Sequence, residues 1–262
     1  MKKESDRQKD SLIFEGMTSL RAVLKADGGG DRIVCIYFDK AKTKQKKQDL
    51  EFIRKMSCKH GFAVTLCDRG QIDSMATGST HGGIIFECRS RRIPDISELN
   101  FNETGSGGIG GFYIMIEGIE DPYNFGYALR SIYAAGAAGA VLTPRNWMSA
   151  AGVVCRASAG ASELLPMYSS EPEDACRVFR KAGYHIVCAG IRDSVPVYEC
   201  TLTPPVFLII GGEKRGLSAK VLKEADDIVR LDYGRRFNGS LSAASAASIL
   251  AYEVFRQTRF KN

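Results

Sequence analysis

The sequence predicts an α/β protein whose larger, carboxy-terminal part is built on a parallel sheet. Two observations carry this. From Phe112 onward, short apolar runs alternate with helical patterns, the order of a parallel sheet covered on both faces. Within that alternation, Val206-Phe-Leu-Ile-Ile reads as a fully buried strand and runs directly into Gly211-Gly212. Glycines there let the backbone turn sharply and let a ligand approach it. In open α/β sheets, ligands sit outside the carboxyl ends of such strands.

A length of 262 residues suits one large domain or two smaller ones, and 44% hydrophobic residues suffice for a sizeable core. The charged start, Met1-Lys-Lys-Glu-Ser-Asp-Arg, lacks the apolar core of a secretory signal. No apolar run approaches the ~20 residues of a membrane span. The expectation is a cytoplasmic protein with no membrane partner.

The first part, residues 1–92, reads as a small α/β unit. Leu20 to Lys25 look helical, and Arg32-Ile-Val-Cys-Ile-Tyr-Phe is a strand. A helix opens at Lys40-Ala-Lys-Thr-Lys-Gln-Lys-Lys and runs towards His60. Phe62-Ala-Val-Thr-Leu and Gly83-Ile-Ile-Phe-Glu-Cys are further strands. This part holds 19 Lys and Arg against 12 Asp and Glu, whereas residues 93–262 hold 17 against 18. A basic part beside a near-neutral one points to a polyanion partner or to a solvated charged surface. Lys42, Lys44, Lys46 and Lys47 belong to the densest basic run. Mobile cations meet phosphates with little demand on geometry.

Residues 93–110 read as a linker, marked by Pro94 and by Gly105-Ser-Gly-Gly-Ile-Gly-Gly. Gly108-x-Gly110 is no dinucleotide fingerprint, because it precedes a strand where it should follow one.

In residues 111–262 the predicted strands are Phe112 to Glu117, Ala140 to Leu142, His185 to Ala189, Val206 to Ile210 and Ile228 to Leu231. The predicted helices cover Ala128 to Ala135, a start at Val153 to Ala157, Cys176 to Ala182, and Leu241 to Gln257. On the last helix Ala243, Ala247, Leu250 and Val254 share one face, and small neighbours allow close backbone approach.

Eight cysteines are present, none in a Cys-x-x-Cys arrangement. They read as small hydrophobes in a reducing compartment, with no metal expected.

A P-loop is excluded at 211–216. Gly211 and Gly216 have its spacing, but Leu217 stands where the lysine must be. Two further stretches bear on this loop. One is Glu120-Asp-Pro-Tyr-Asn-Phe-Gly-Tyr-Ala-Leu-Arg, and the other is Asn238-Gly-Ser-Leu-Ser-Ala-Ala-Ser. Taken in order with 206–219, they resemble the three signature motifs of the SpoU (TrmH-like) RNA methyltransferases of the SPOUT superfamily. The spacing of Asn124 to Arg130, the pattern Gly-x-Glu-x-x-Gly at 211–216, and Ser240-Leu241 carry the likeness. Three motifs in order over about 130 residues are far more specific than any one of them.

The resemblance implies transfer of a methyl group from S-adenosylmethionine to a ribose 2′-hydroxyl of RNA, either rRNA or tRNA. It implies a SPOUT domain with a trefoil knot, which composition alone does not show. It also implies a homodimer and a ribosomal-protein-like α/β/α substrate-binding domain at the amino end. There Phe14-Glu-Gly-Met-Thr-Ser-Leu looks like the opening helix, and His81 shapes a turn. Arg156-Ala-Ser-Ala-Gly is similar to a family segment that packs near the site. Carried over by motif, Gly211, Gly212, Leu231, Ser240 and Leu241 hold the cofactor. Arg130, Asn124, Glu213, Ser240 and Ser242 form the catalytic group. Read alone, Asn124 is more readily a helix cap and Glu213 a loop-surface charge; the three motifs together favour the functional roles. The family's third motif reads Ser-Leu-Asn, and Ser242 replaces that asparagine. A non-catalytic RNA-binding homologue and a base methyltransferase of the wider superfamily remain alternatives.

Overall fold

A computed structural model of the chain describes residues 11–78, 80–101, 111–144, 147–212 and 216–260. Two units emerge, one of Met1–Arg92 with Asn146–Leu164, the other of Ile93–Arg145 with Leu165–Asn262.

The first unit begins with β1 (Ser11–Glu15), α1 (Gly16–Lys25) and β2 (Ile33–Asp39). α2 (Lys47–His60), β3 (Ala63–Cys67), α3 (Arg69–Met75) and β4 (Ile84–Arg89) follow. The sheet order is β1-β4-β2-β3, with only β2 and β3 parallel. Phe14, Leu20, Ile36, Phe38, Ile53 and Phe86 form its core. The sequence pattern begins a helix near Phe14, but Phe14 and Glu15 are extended and pair with β4. The apolar run Leu12-Ile-Phe is too short to declare itself a strand without its partner.

The second unit opens with β5 (Phe112–Ile116), α4 (Pro122–Ala134) and β6 (Gly139–Leu142). The chain then contributes α5 (Ala151–Ala157) to the first unit. Gly152 is needed there, since a Cβ would stand 2.0 Å from the Ile13 carbonyl oxygen. Arg156 pairs with the buried Glu15, whose other oxygen accepts the amides of Thr77 and Gly78. Glu163 pairs with Arg32 at 2.8 Å. Where the sequence assigns residues 111–262 to one domain and sets Arg156 near the site, the partners of Arg156 and Glu163 belong to the amino-terminal sheet unit.

The chain returns as β7 (Met167–Ser169), α6 (Pro172–Lys181), β8 (His185–Ala189), β9 (Val195–Pro196) and β10 (Val206–Ile210). α7 (Ala219–Lys223), β11 (Asp227–Arg230) and α8 (Ala243–Arg259) complete it. The seven strands run in the order β7-β6-β5-β10-β8-β11-β9, all parallel. β5 and β10 are central and buried at every position, which explains their unbroken apolar runs. Phe179 stacks on Phe207 at 3.9 Å between ring centroids, and Phe101 packs edge-on against Phe179. Phe101, Ile96 and Leu99 therefore belong to the core of this unit. The expected linker is thus packed as far as residue 101, and residues 102–110 lie outside the described residues. α8 lays Ala243, Ala244, Ala247 and Leu250 against α4, β5 and β10. No described helix is long and apolar enough to cross a membrane.

Candidate cofactor and catalytic site

The carboxyl ends of β5 and β10 lie side by side, and the loops that leave them touch through bare backbone. The Glu117 amide donates to the Ile210 carbonyl at 2.9 Å. A Cβ on Gly118 would meet Gly212 Cα at 3.3 Å, and one on Gly212 would stand 2.5 Å from the Gly118 oxygen. Gly211 is equally tight against Gly216, whose amide donates to the Gly212 carbonyl at 3.0 Å. Gly216 itself has φ +60°, with open space where a side chain would project. Gly211 and Gly212 thus serve first to let neighbouring backbone segments pass close to one another. Glu213 lies outside the described residues.

α4 starts where the sequence pattern shows a loop. Asp121 caps it by accepting the Asn124 amide at 2.7 Å, and Pro122 occupies the first helical position. Asn124 therefore sits in the first helical turn and is itself capped. The Asp-Pro pair at 121–122 was the available signal for this start. Arg130 is exposed on the same helix and makes no hydrogen bond or ion pair among the described residues. Tyr123 and Tyr127 are exposed on that helix as well.

The third predicted stretch leads into α8. Ser242 is its N-cap, with Oγ accepting the Ser245 amide at 3.1 Å. Asparagine and serine are nearly equivalent at this position, so the departure from Ser-Leu-Asn preserves the helix start. Leu241 is half-buried, and its amide donates to Tyr233 Oη at 3.3 Å. Ser240 is exposed, and Leu231 lies just beyond β11, half-buried. Tyr233 packs edge-on against Phe237 and, with Gly118 and Asp121, was missed in the sequence. An aromatic pair separated by Gly234-Arg235-Arg236 has no periodicity to mark it.

In the first unit two of the expected phosphate-binding lysines, Lys42 and Lys46, flank the turn before β4. Lys42 lies against Gly83, and Lys46 Nζ would stand 3.1 Å from a Cβ on Gly82. Lys44 is exposed, and Lys47 lies 3.7 Å from Glu51 one turn on. His81 is buried, accepts the Gly83 amide at Nδ1 (3.1 Å), and turns Nε2 to Asp73 at 3.0 Å. Both ring nitrogens are engaged in holding the turn.

The cysteines are free, and six of the eight are buried. Burial pushes the thiols of Cys88 and Cys176 up to about 11.

Comparison with known proteins assigns both parts. The SpoU rRNA methylase family model matches residues 111–252, and the model for RNA 2′-O ribose methyltransferase substrate binding matches residues 13–94. A 23S rRNA (guanosine-2′-O-)-methyltransferase of Shewanella oneidensis is 24% identical over 253 residues, 96% of this chain and 99% of that protein. A putative TrmH family tRNA/rRNA methyltransferase of Staphylococcus saprophyticus is 26% identical over 216 residues, 82% of this chain and 86% of that one. The AdoMet-bound rRNA methyltransferase of Sinorhizobium meliloti shares the fold, with a TM-score of 0.77 at 22% identity, covering 98% of this chain and 91% of the other.

Proposed function

The chain belongs to the SpoU rRNA methylase family, and we propose that residues 111–262 move a methyl group from S-adenosylmethionine to a ribose 2′-oxygen of RNA while residues 1–92 grip that RNA. The carrying observation is the pairing, in one chain, of the methylase match with the 2′-O ribose substrate-binding match. Relatives spanning nearly the whole chain are named for 23S rRNA methylation, which makes ribosomal RNA the first substrate to test and tRNA the second.

S-adenosylmethionine, when bound, supplies a methyl group on a positively charged sulfur. The glycine crossing suits that group, because backbone amides and carbonyls without side chains line it and half-buried Leu231 and Leu241 offer apolar surface. In this reading Gly211, Gly212, Ser240 and Leu241 hold the cofactor.

A hydroxyl is a poor nucleophile and gains most from alignment. Arg130 supplies it by holding an RNA phosphate, since arginine keeps its proton. Asn124, in the first turn of the same helix, orients the ribose, and Glu213 fixes Asn124 or a loop amide. Ser240 and Ser242 set the start of α8 beside them.

A homodimer belongs to this reading. Tyr123 and Tyr127 on α4, with Ile249 and Tyr252 on α8, are exposed on two helices that pack together, and large apolar groups grouped in this way suit a subunit contact. The family's trefoil knot and a cytoplasmic site of action are part of the same proposal.

The test is mass spectrometry of nucleosides from rRNA and tRNA incubated with the full chain and S-adenosylmethionine. A 2′-O-methylated nucleoside is the expected product. A methylated base would move the chain to another branch of the superfamily. RNA binding with no methyl transfer would establish the non-catalytic alternative.

A further inference from the structure

At the amino ends of the same parallel strands, three donor groups of different chemistry converge. His185 opens β8, Asp227 opens the neighbouring β11, and Cys200 ends the short turn that follows β9. His185 Nε2 lies 2.8 Å from Asp227 Oδ2, and Cys200 Sγ lies 3.6 Å from the same oxygen. All three ligand atoms fall within 4.8 Å of one another. They line a cavity of about 620 Å³.

Two readings compete. A thiol nucleophile needs the imidazole as its hydrogen-bond partner, whereas here the partner of the thiol is the carboxylate. A metal ion reads the convergence differently. Zinc takes sulfur at about 2.3 Å, and imidazole nitrogen and carboxylate oxygen at about 2.0–2.2 Å. Those bond lengths set tetrahedral donor separations of roughly 3.3–3.8 Å. The Cys200–Asp227 distance of 3.6 Å lies inside that range, and the His185–Asp227 hydrogen bond of 2.8 Å is shorter than it, so His185 and Asp227 must move apart by roughly half an ångström to admit an ion.

The other side of the imidazole supports the second reading. His185 Nδ1 lies 3.9 Å from Asp226 Oδ2. The Asp226 carboxylate is itself held by the Ile186 amide at 2.8 Å and by Arg180 at 2.9 Å. Metal-bound histidines usually donate their second ring nitrogen to a fixed carboxylate; at 3.9 Å Asp226 stands just beyond hydrogen-bond reach of His185, and a small rotation of the ring would close that gap.

We propose that His185, Cys200 and Asp227 bind one divalent metal ion of the zinc class, with water from the cavity in the fourth position. Its role is to brace the chain. The Cys200 carbonyl accepts Gln257 Nε2 at 2.9 Å, and the Leu202 amide donates to Gln257 Oε1 at 2.7 Å. The loop that carries the metal thus also anchors the last turns of α8. The glycine crossing lies at the opposite, carboxyl ends of the strands, so the ion takes no part in methyl transfer.

The test is Co²⁺ titration of the full, metal-free chain, read by the thiolate-to-cobalt absorption band, with Zn²⁺ as competitor. One equivalent is expected to bind. Cys200→Ser should lose the band, and Cys58→Ser, an exposed cysteine elsewhere, should keep it. Asp226→Asn should keep the band but weaken affinity about 10–100-fold. Zn²⁺ should raise Tm, and in the unmodified chain it should slow alkylation of Cys200 without slowing that of Cys58; this last readout needs no variant to fold. Absence of the band in the folded chain, its survival in Cys200→Ser, or an unchanged Tm at saturating Zn²⁺ would each overturn the proposal.

Discussion

Lys42 and Lys46 in the first unit reach over Gly82 and Gly83 on long flexible stems, whereas Gly211 and Gly212 in the second lie against backbone that cannot yield. In the proposed function the first arrangement recognises RNA by charge. Its cations are partly or fully exposed, and each can move by ångströms and still meet a phosphate. The second, in the same proposal, recognises the cofactor by shape. A single methyl group at Gly212 would collide with a carbonyl oxygen at 2.5 Å. Changes in the first unit should therefore act in small, additive steps, and changes in the second abruptly.

The largest effect is expected at Arg130. Arg130→Ala should slow single-turnover methylation by about 100-fold or more, the scale of lost alignment at a reacting centre. Affinity for S-adenosylmethionine, measured by calorimetry, should hardly change, because the side chain has no structural partner among the described residues. Normal turnover would remove Arg130 from the catalytic group and blur the contrast between the units.

Gly212→Ala comes next. Overpacking of this kind typically costs about 1–3 kcal/mol. Urea unfolding should register that loss, and cofactor affinity should fall while RNA affinity holds. A variant with unchanged stability and cofactor binding would mean that the crossing is looser than its close approaches imply.

Replacing Lys42, Lys44, Lys46 and Lys47 together with alanine should act on RNA alone. For every phosphate no longer neutralised, the slope of log K against log salt flattens by roughly 0.7–0.9. Lys47 is partly committed to Glu51, so a flattening of about 2–3 is expected in filter-binding measurements at several salt concentrations. An unaltered slope would place the RNA track on another surface.

The smallest effects concern the cap of α8. Ser242→Ala removes the acceptor for the Ser245 amide and should cost about 1 kcal/mol. Ser242→Asn keeps a capping group and should retain or raise single-turnover methylation, as the adjoining Ala243 and Ala244 leave room. A large loss in Ser242→Asn with cofactor affinity intact would show a third loop shaped around serine.

Much of this was legible from residues in order along the chain. Unbroken apolar runs at Phe112 and Val206 announced central parallel strands, because burial on both faces leaves no polar position in the pattern. Three short motifs marked the loops of the candidate site, and the charge imbalance marked the unit matched to RNA substrate binding. Each of these signals is local, or is a sum over a segment.

Tertiary structure decided what depends on partners distant in sequence. Ile96, Leu99 and Phe101 look like linker until the ring of Phe179 is placed beside Phe101. Arg156 reads as part of the methylase segment, yet its ion pair is with Glu15. Asn124 looks free to cap until Asp121 takes the position. The glycines at 211 and 212 stand out in the sequence, but the obstacle that requires them, the Gly118 and Gly216 backbone, exists only once two loops cross. A side chain's neighbours are set by packing between segments, and local patterns carry no record of which segments will meet.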